Sequence, residues 1–236
     1  MELEKNSNCR RGEMRVQLLS LLLSLTLPVC HTKAVSQHYN ISEAVWDTQF
    51  SKGHWDYLAK NAIERARSSV ISGVFALSYA ANGRLLDVGC GEGVLADYLT
   101  HKQRKQYLGI DVSKEAIKIA SRRRAGLQFL QADALTYVPP DGVTYDVIVF
   151  NEMLYYTDHK EILKKYSAKE FLSKNGILVI SIWYTPKEDY LRASIFTDAR
   201  NLLESIDAIV ISGATRESPK DAVDLKFQIE AFRPRK

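Results

Sequence analysis

Cysteine is scarce in this chain: three in 236 residues, Cys9, Cys30 and Cys90, with neither metal-ligand spacing nor an evident disulfide framework. No metal is expected. No internal repeat or low-complexity tract appears. The glycine turn at Gly89, Gly91 and Gly93 is not followed by Gly-Lys-Ser/Thr, so a phosphate loop of the Walker type is excluded. A dinucleotide turn, G-x-G-x-x-G, would carry its third glycine at position 94; that residue is Val94, and the glycine falls one residue early. The apolar run over residues 16–29 is shorter than the roughly 18–20 residues of a membrane span. Lys102, Arg104, Lys105, Arg122, Arg123 and Arg124 lack interleaved aromatics, and read as solvated helix faces; no nucleic-acid partner is expected.

What the chain does have is enough apolar content, 46%, to bury one sizeable core, with a modest formal charge of +4. One domain is the default. The first 34 residues differ from the rest. "MRVQLLSLLLSLTLPVC" places an arginine before a short apolar stretch, and small residues flank Lys33, the layout of a secretory signal. Residues 1–34 are therefore expected to be a leader: a signal peptide, a membrane anchor, or an apolar helix that packs on the domain. The location follows that choice. It is the secretory pathway or a membrane surface for the first two, and the cytoplasm for the third. Cleavage after Ala34 would leave Cys90 as the remaining cysteine.

Residues 35–82 read as a helical cap, rich in aromatics (Trp46, Phe50, Trp55, Tyr57) around Gly53 and His54. From residue 83 the order is regular. Strands are expected over 85–88, 106–110, 127–131, 145–150 and 177–183, with helices over 94–101, 114–124 and 160–172 between them. Ser113 is placed to cap the helix that starts at Lys114. A helix over 190–205 and two late strands, 208–212 and 225–232, complete the chain. The late pair is joined by too short a link for a crossover helix and should be antiparallel. The expected fold is α/β: a three-layer sandwich on a seven-stranded, mostly parallel sheet with an antiparallel edge hairpin.

In such a sheet the ligand lies beyond the carboxyl ends of the strands. The residues there are Asp87 with the glycine turn, Asp111, Asp133, and Asn151 with Glu152. Singly, each acid is as readily a cap or a turn residue. Four polar strand ends in register with one glycine turn are a site. Asp111, some twenty residues past the turn, is where an acid takes two ribose hydroxyls; Asp133 is within reach of a purine amino group.

Together these segments resemble the class I S-adenosylmethionine-dependent methyltransferases. "LLDVGCGEG" is similar to that family's first motif, "GIDVS" to the acid ending its second strand, and "QADAL" to its adenine-side acid. "YDVIVFNEMLYY" and "FLSKNGILVISIW" are similar to its fourth and fifth elements. The resemblance implies S-adenosyl-L-methionine as cofactor, with Gly89 and Gly91 passing under the methionine portion and Asp87 helping to hold its amino group. It places Asp111 on the ribose, Asp133 on the adenine and Asn151 at the sulfonium end, with Cys90, Val112 and Ala134 lining the seat.

"FNEMLYYTDH" is similar to small-molecule and sugar methyltransferases, including nodulation-type N-methyltransferases. It lacks the Asn/Asp-Pro-Pro-Tyr/Phe expected of enzymes acting on bases or glutamine. The expected reaction is methyl transfer to an oxygen or nitrogen of a small-molecule or sugar-like acceptor. A hydroxyl or ammonium acceptor must lose a proton, and Glu152 and His159 are the candidate bases, with Tyr155 as an orienting group and His54 a weaker alternative. Two alternatives stand beside this reading: a cofactor-binding but inactive partner subunit, and an NAD(P)-linked oxidoreductase. A leader sits awkwardly with a cofactor made in the cytosol, and both readings of residues 1–34 stay open.

Overall fold

Leu85, Leu86, Asp87 and Val88 form β1, buried at all four positions, and the sheet grows outward from it on both sides. The computed structural model describes residues 41–185, 189–215 and 223–235, which lie within the compact unit His38–Lys236. The expected leader, residues 1–34, falls outside the described residues, as do Cys9 and Cys30. The further strands are β2 (Tyr107–Asp111), β3 (Gln128–Gln131), β4 (Tyr145–Asn151), β5 (Leu172–Tyr184), β6 (Leu203–Thr215) and β7 (Val223–Pro234), in the order β3-β2-β1-β4-β5-β7-β6. Strands β1 to β5 run parallel, and β7 is antiparallel to both β5 and β6. The reversed strand is thus one in from the edge, and β6 closes the sheet.

Both faces of the central strands are covered, which explains their uninterrupted apolar runs. Along β4, Ile148 and Phe150 join one core with Leu86, Ile180 and Phe196, whereas Val147 and Val149 join the other with Leu85, Ile71 and Phe75. Helices precede β1: α1 (Glu43–Ser51), the single turn α2 (Tyr57–Lys60) and α3 (Ala62–Val70). Helix α3 continues through a wider π-helical stretch, Ile71–Ala76, into a last turn, Leu77–Ala80. The chain then makes α4 (His101–Arg104), α5 (Lys114–Arg123), α6 (His159–Tyr166) and α7 (Tyr190–Leu202).

Three expectations are corrected. The helix after the glycine turn is a 3-10 segment, Val94–Tyr98, and Thr100 starts a separate short helix by capping Gln103. The helix expected over 160–172 ends at Tyr166, and Leu172 already pairs with Tyr145 as strand. The basic run at 122–124 is not wholly a solvated face: Arg124 is buried, its Nε donates to Asp97 Oδ1 at 2.8 Å, and its Nη1 donates to the Glu92 carbonyl at 2.6 Å. That arginine ties α5 to the glycine turn.

Candidate active site

Sheet order reverses between β1 and β4, and the crevice above their carboxyl ends is the topological switch point. On the β1 side the turn has Gly89, Gly91 and Gly93 at φ of 72°, 53° and 78°. Two of them face close neighbours. A Cβ on Gly89 would lie 2.8 Å from the Met153 Cβ, and one on Gly91 would reach the Phe50 ring at 3.4 Å. The backbone there is held bare by conformation as well as by space. Cys90 directs its sulfur under the turn, toward Gly109, and is free of any disulfide.

Asp111 closes β2 and organises the turn. Its Oδ2 accepts the Gly91 N–H at 2.8 Å and its Oδ1 accepts the Ser113 N–H at 2.9 Å. Burial pushes its pKa up to about 6, against those two hydrogen bonds, and the Asp47 charge adds to the rise. Asp87 is more deeply buried and sits at about 7: desolvation raises it, the Tyr107 hydroxyl donating at 2.8 Å lowers it, Asp111 raises it, and Arg67 lowers it. Gly109 makes that tyrosine contact possible, since a Cβ there would lie 2.7 Å from the Tyr107 hydroxyl. Asp133 is exposed and turns its Oδ1 onto the Leu135 N–H at 2.7 Å. The Ala134 carbonyl accepts Tyr166 Oη and Lys165 Nζ, and the Val112 carbonyl accepts Gln131 Nε2 at 3.3 Å.

On the β4 side Asn151 is followed by Glu152 at φ 64°, a left-handed conformation that few non-glycine residues adopt. The Glu152 carboxylate is heavily engaged. It accepts Ser181 Oγ at 3.1 Å, the Trp183 N–H at 3.1 Å and the Tyr155 hydroxyl at 2.9 Å, and it pairs with Arg67 Nη1 at 3.1 Å. His159, in the first turn of α6, has its Nε2 2.9 Å from Asp198 Oδ2 and joins α6 to α7. The His54 Nδ1 is buried and has no hydrogen-bond partner.

Helix α1 spans the crevice. Asp47 Oδ1 accepts Ser113 Oγ at 2.6 Å and the Glu115 N–H at 3.1 Å, and Glu43 accepts Gln131 Nε2 at 2.7 Å. From the same helix, Trp46 meets the Tyr156 ring edge-on at 4.9 Å between centroids, and Tyr156 meets Tyr155 at 4.4 Å. Asp47 and Arg67 escaped the sequence reading. An acid inside "AVWDTQF" and an arginine inside "AIERARSSV" look like ordinary helix-surface residues, and no local signal marks either.

A family profile described as "Methyltransferase domain" matches residues 80–219. The chain belongs to this methyltransferase family. Its fold is that of the class I S-adenosylmethionine-dependent methyltransferases. The N-methyltransferase NodS of Bradyrhizobium japonicum, solved with S-adenosyl-L-homocysteine, superposes with a TM-score of 0.62 at 18% identity, over 82% of this chain and 98% of that one. An S-adenosylmethionine-dependent methyltransferase of Anabaena variabilis gives 0.61 at 15% identity, over 87% and 100%. Both likenesses are of fold. In sequence the chain is 32% identical over 102 residues to (S)-coclaurine N-methyltransferase of Thalictrum flavum, covering 41% of this chain and 27% of that protein. It is 35% identical over 82 residues to a ubiquinone biosynthesis O-methyltransferase of Aliivibrio fischeri, covering 31% and 35%. The matches span about a third or less of these relatives.

The residues present fit the methyltransferase's donor. Two buried oxygens at the crevice, Asp87 Oδ1 and Asn151 Oδ1, lack a hydrogen-bond partner within the protein, and an ammonium donor satisfies such acceptors. The bare glycine backbone admits a ligand at contact distance, and each Asp111 oxygen keeps a second lone pair beyond its backbone bond. Among the described residues no helix is long and apolar enough to cross a membrane.

Proposed function

We propose that the chain transfers a methyl group from S-adenosylmethionine to an oxygen or nitrogen of a small-molecule or sugar-like acceptor. The observation that carries this reading is the aromatic wall from α1 to the segment after β4, Trp46 on Tyr156 on Tyr155, beside Asn151. A wall formed by two segments of the same chain closes a compartment suited to a small acceptor. Stacked rings suit the apolar face of a sugar or an aromatic amine.

In this reading Asp87 and Asn151 hold the donor's ammonium, Asp111 its ribose hydroxyls and Asp133 its adenine amino group, with Gly89 and Gly91 under the methionine portion and Cys90, Val112 and Ala134 lining the seat. The bound donor supplies an activated sulfonium methyl. The protein's task is then alignment of the acceptor and exclusion of water. Glu152 serves as the anchor of the turn rather than as base, because its carboxylate already receives donors from β5, Tyr155 and Arg67. Tyr155 and Tyr156 orient the acceptor. His159 supports the wall through Asp198. An acceptor nitrogen with its own lone pair needs least from such a site.

The test is transfer of labelled methyl from S-adenosylmethionine to fractionated cell extract. Label in small-molecule fractions supports the reading. Label confined to protein or nucleic acid overturns the acceptor class, and cofactor binding with no transfer anywhere favours an inactive partner subunit.

A further inference from the structure

Arg67 is the buried cation of the crevice. It lies on α3 with a side chain 3% exposed, and it pairs with two buried carboxylates: Glu64 on its own helix at 2.8 Å and Glu152 after β4 at 3.1 Å. Its guanidinium also stacks on the Phe227 ring of β7 at 4.7 Å. A guanidinium serves two acids and a ring face at once because it is planar and forked; an ammonium does not. The Glu152 backbone needs such an anchor, since a left-handed non-glycine residue costs about 1–3 kcal/mol and persists only where its surroundings over-determine it.

The same cation acts on Asp87. The groups facing that carboxylate are the Tyr107 hydroxyl and Asp111 of β2 and Arg67 of α3, and the Cys90 thiol is pushed up in part by the Asp87 charge. Of these, Arg67 is the cation. Asp87 ends β1, and Asn151 precedes the anchored Glu152 on the neighbouring strand, so Arg67 acts on both sides of the crevice.

We propose that Arg67 is a positioning residue for methyl transfer, holding the Asn151–Glu152 turn in place and supplying the positive charge that keeps Asp87 an acceptor for the donor's ammonium. This rests on the cofactor seat proposed above.

The experiment is calorimetric titration of the full chain with S-adenosylhomocysteine between about pH 5.5 and about pH 9, spanning the Asp87 titration. The wild-type chain, Arg67→Gln, Arg67→Lys and Glu152→Gln are compared, with melting curves for each. Wild-type affinity should rise with pH as Asp87 ionises. Arg67→Gln should displace the midpoint of that rise upward by about half a pH unit or more, because a nearby cation favours the ionised acid. Arg67→Lys should return the midpoint while binding more weakly, and Glu152→Gln should weaken binding at every pH without moving it. A folded Arg67→Gln protein with an unmoved midpoint overturns the proposal and leaves Arg67 a packing residue. If Arg67→Gln does not fold, the double variant Arg67→Gln/Glu152→Gln removes the stranded anion and is read against Glu152→Gln alone. Coincident midpoints overturn the proposal, and an upward displacement supports it. A wild-type chain that binds no S-adenosylhomocysteine refutes the cofactor seat instead.

Discussion

Asp47 caps a helix in another part of the chain. Its Oδ1 takes the Ser113 hydroxyl at 2.6 Å and the Glu115 N–H at 3.1 Å, so an acid of α1 satisfies the open N-terminus of α5. Ser113 in turn donates its backbone N–H to Asp111, and Asp111 takes the Gly91 N–H. The seating of α1 and the shape of the glycine turn are therefore joined by one chain of hydrogen bonds.

Asp47→Ala should loosen α1 and cost stability of about 1 kcal/mol, the usual loss for a removed cap. Limited proteolysis should cut residues 41–56 faster in the variant, and S-adenosylhomocysteine should protect the wild-type chain more. Equal cleavage rates with and without the substitution would mean that Asp47 does not hold the helix.

Asp111→Ala removes the acceptor for two backbone N–H groups together with the proposed ribose contact. Hydrogen bonds to a charged group are worth about 1.5–3 kcal/mol each, so affinity for S-adenosylhomocysteine should fall by at least about tenfold. Calorimetry at fixed pH measures it. Unchanged affinity would sink the ribose assignment.

Stability of the ligand-free chain should fall as pH rises from about 5 to about 8. Asp87 and Asp111 both have folded-state pKa values above the ordinary 3.8, at about 7 and about 6, because burial disfavours their charged forms. The folded state therefore holds protons that the unfolded state has released. The corresponding stability is complete below the ordinary carboxylate value and is lost as pH passes through 6 and 7. Thermal melts across this range should slope accordingly, and Asp87→Asn should flatten the slope. A profile that rises toward alkaline pH would contradict the assignment.

Glu152→Gln should lower stability more than an exposed substitution does. Breaking a buried ion pair from one side costs about 3–5 kcal/mol, and a glutamine that keeps part of the hydrogen bonding should sit below that range. Tyr155→Phe, which removes one of several donors to Glu152, should cost about 1 kcal/mol. Chemical denaturation orders the two. Equal stability of Glu152→Gln and the wild-type chain would return Glu152 to candidacy as a base.

Much of the donor side was legible along the chain. β1 and β4 announce themselves as apolar runs, and each ends in a polar residue that parallel pairing carries to the same edge; Ser113 caps the following helix as its place in the sequence suggests. The acceptor side was not. Glu152 looks like a base in "FNEMLYY" because its partners, Ser181, Trp183 and Arg67, are 29 to 85 positions away. His159 has the same history, with Asp198 39 positions off. Arg124 was read as solvated because its neighbours Arg122 and Arg123 are exposed, and only the packing of α5 on the glycine turn buries it.

By itself, the sequence determined the alternation of strands and helices, the glycine turn with its left-handed demands, and which polar residues end the strands. These follow from local periodicity and backbone sterics, which neighbouring residues suffice to express. The tertiary structure decided the employment of each acid and cation. Whether a carboxylate is an open acceptor, a cap or an anchored ion depends on burial and on partners brought from distant segments. Asp87 keeps an unpaired oxygen, Asp47 caps a helix that is not its own, and Glu152 is held by Arg67. Solvation and pairing energies of that size are set by three-dimensional neighbours, and no spacing along the chain encodes them.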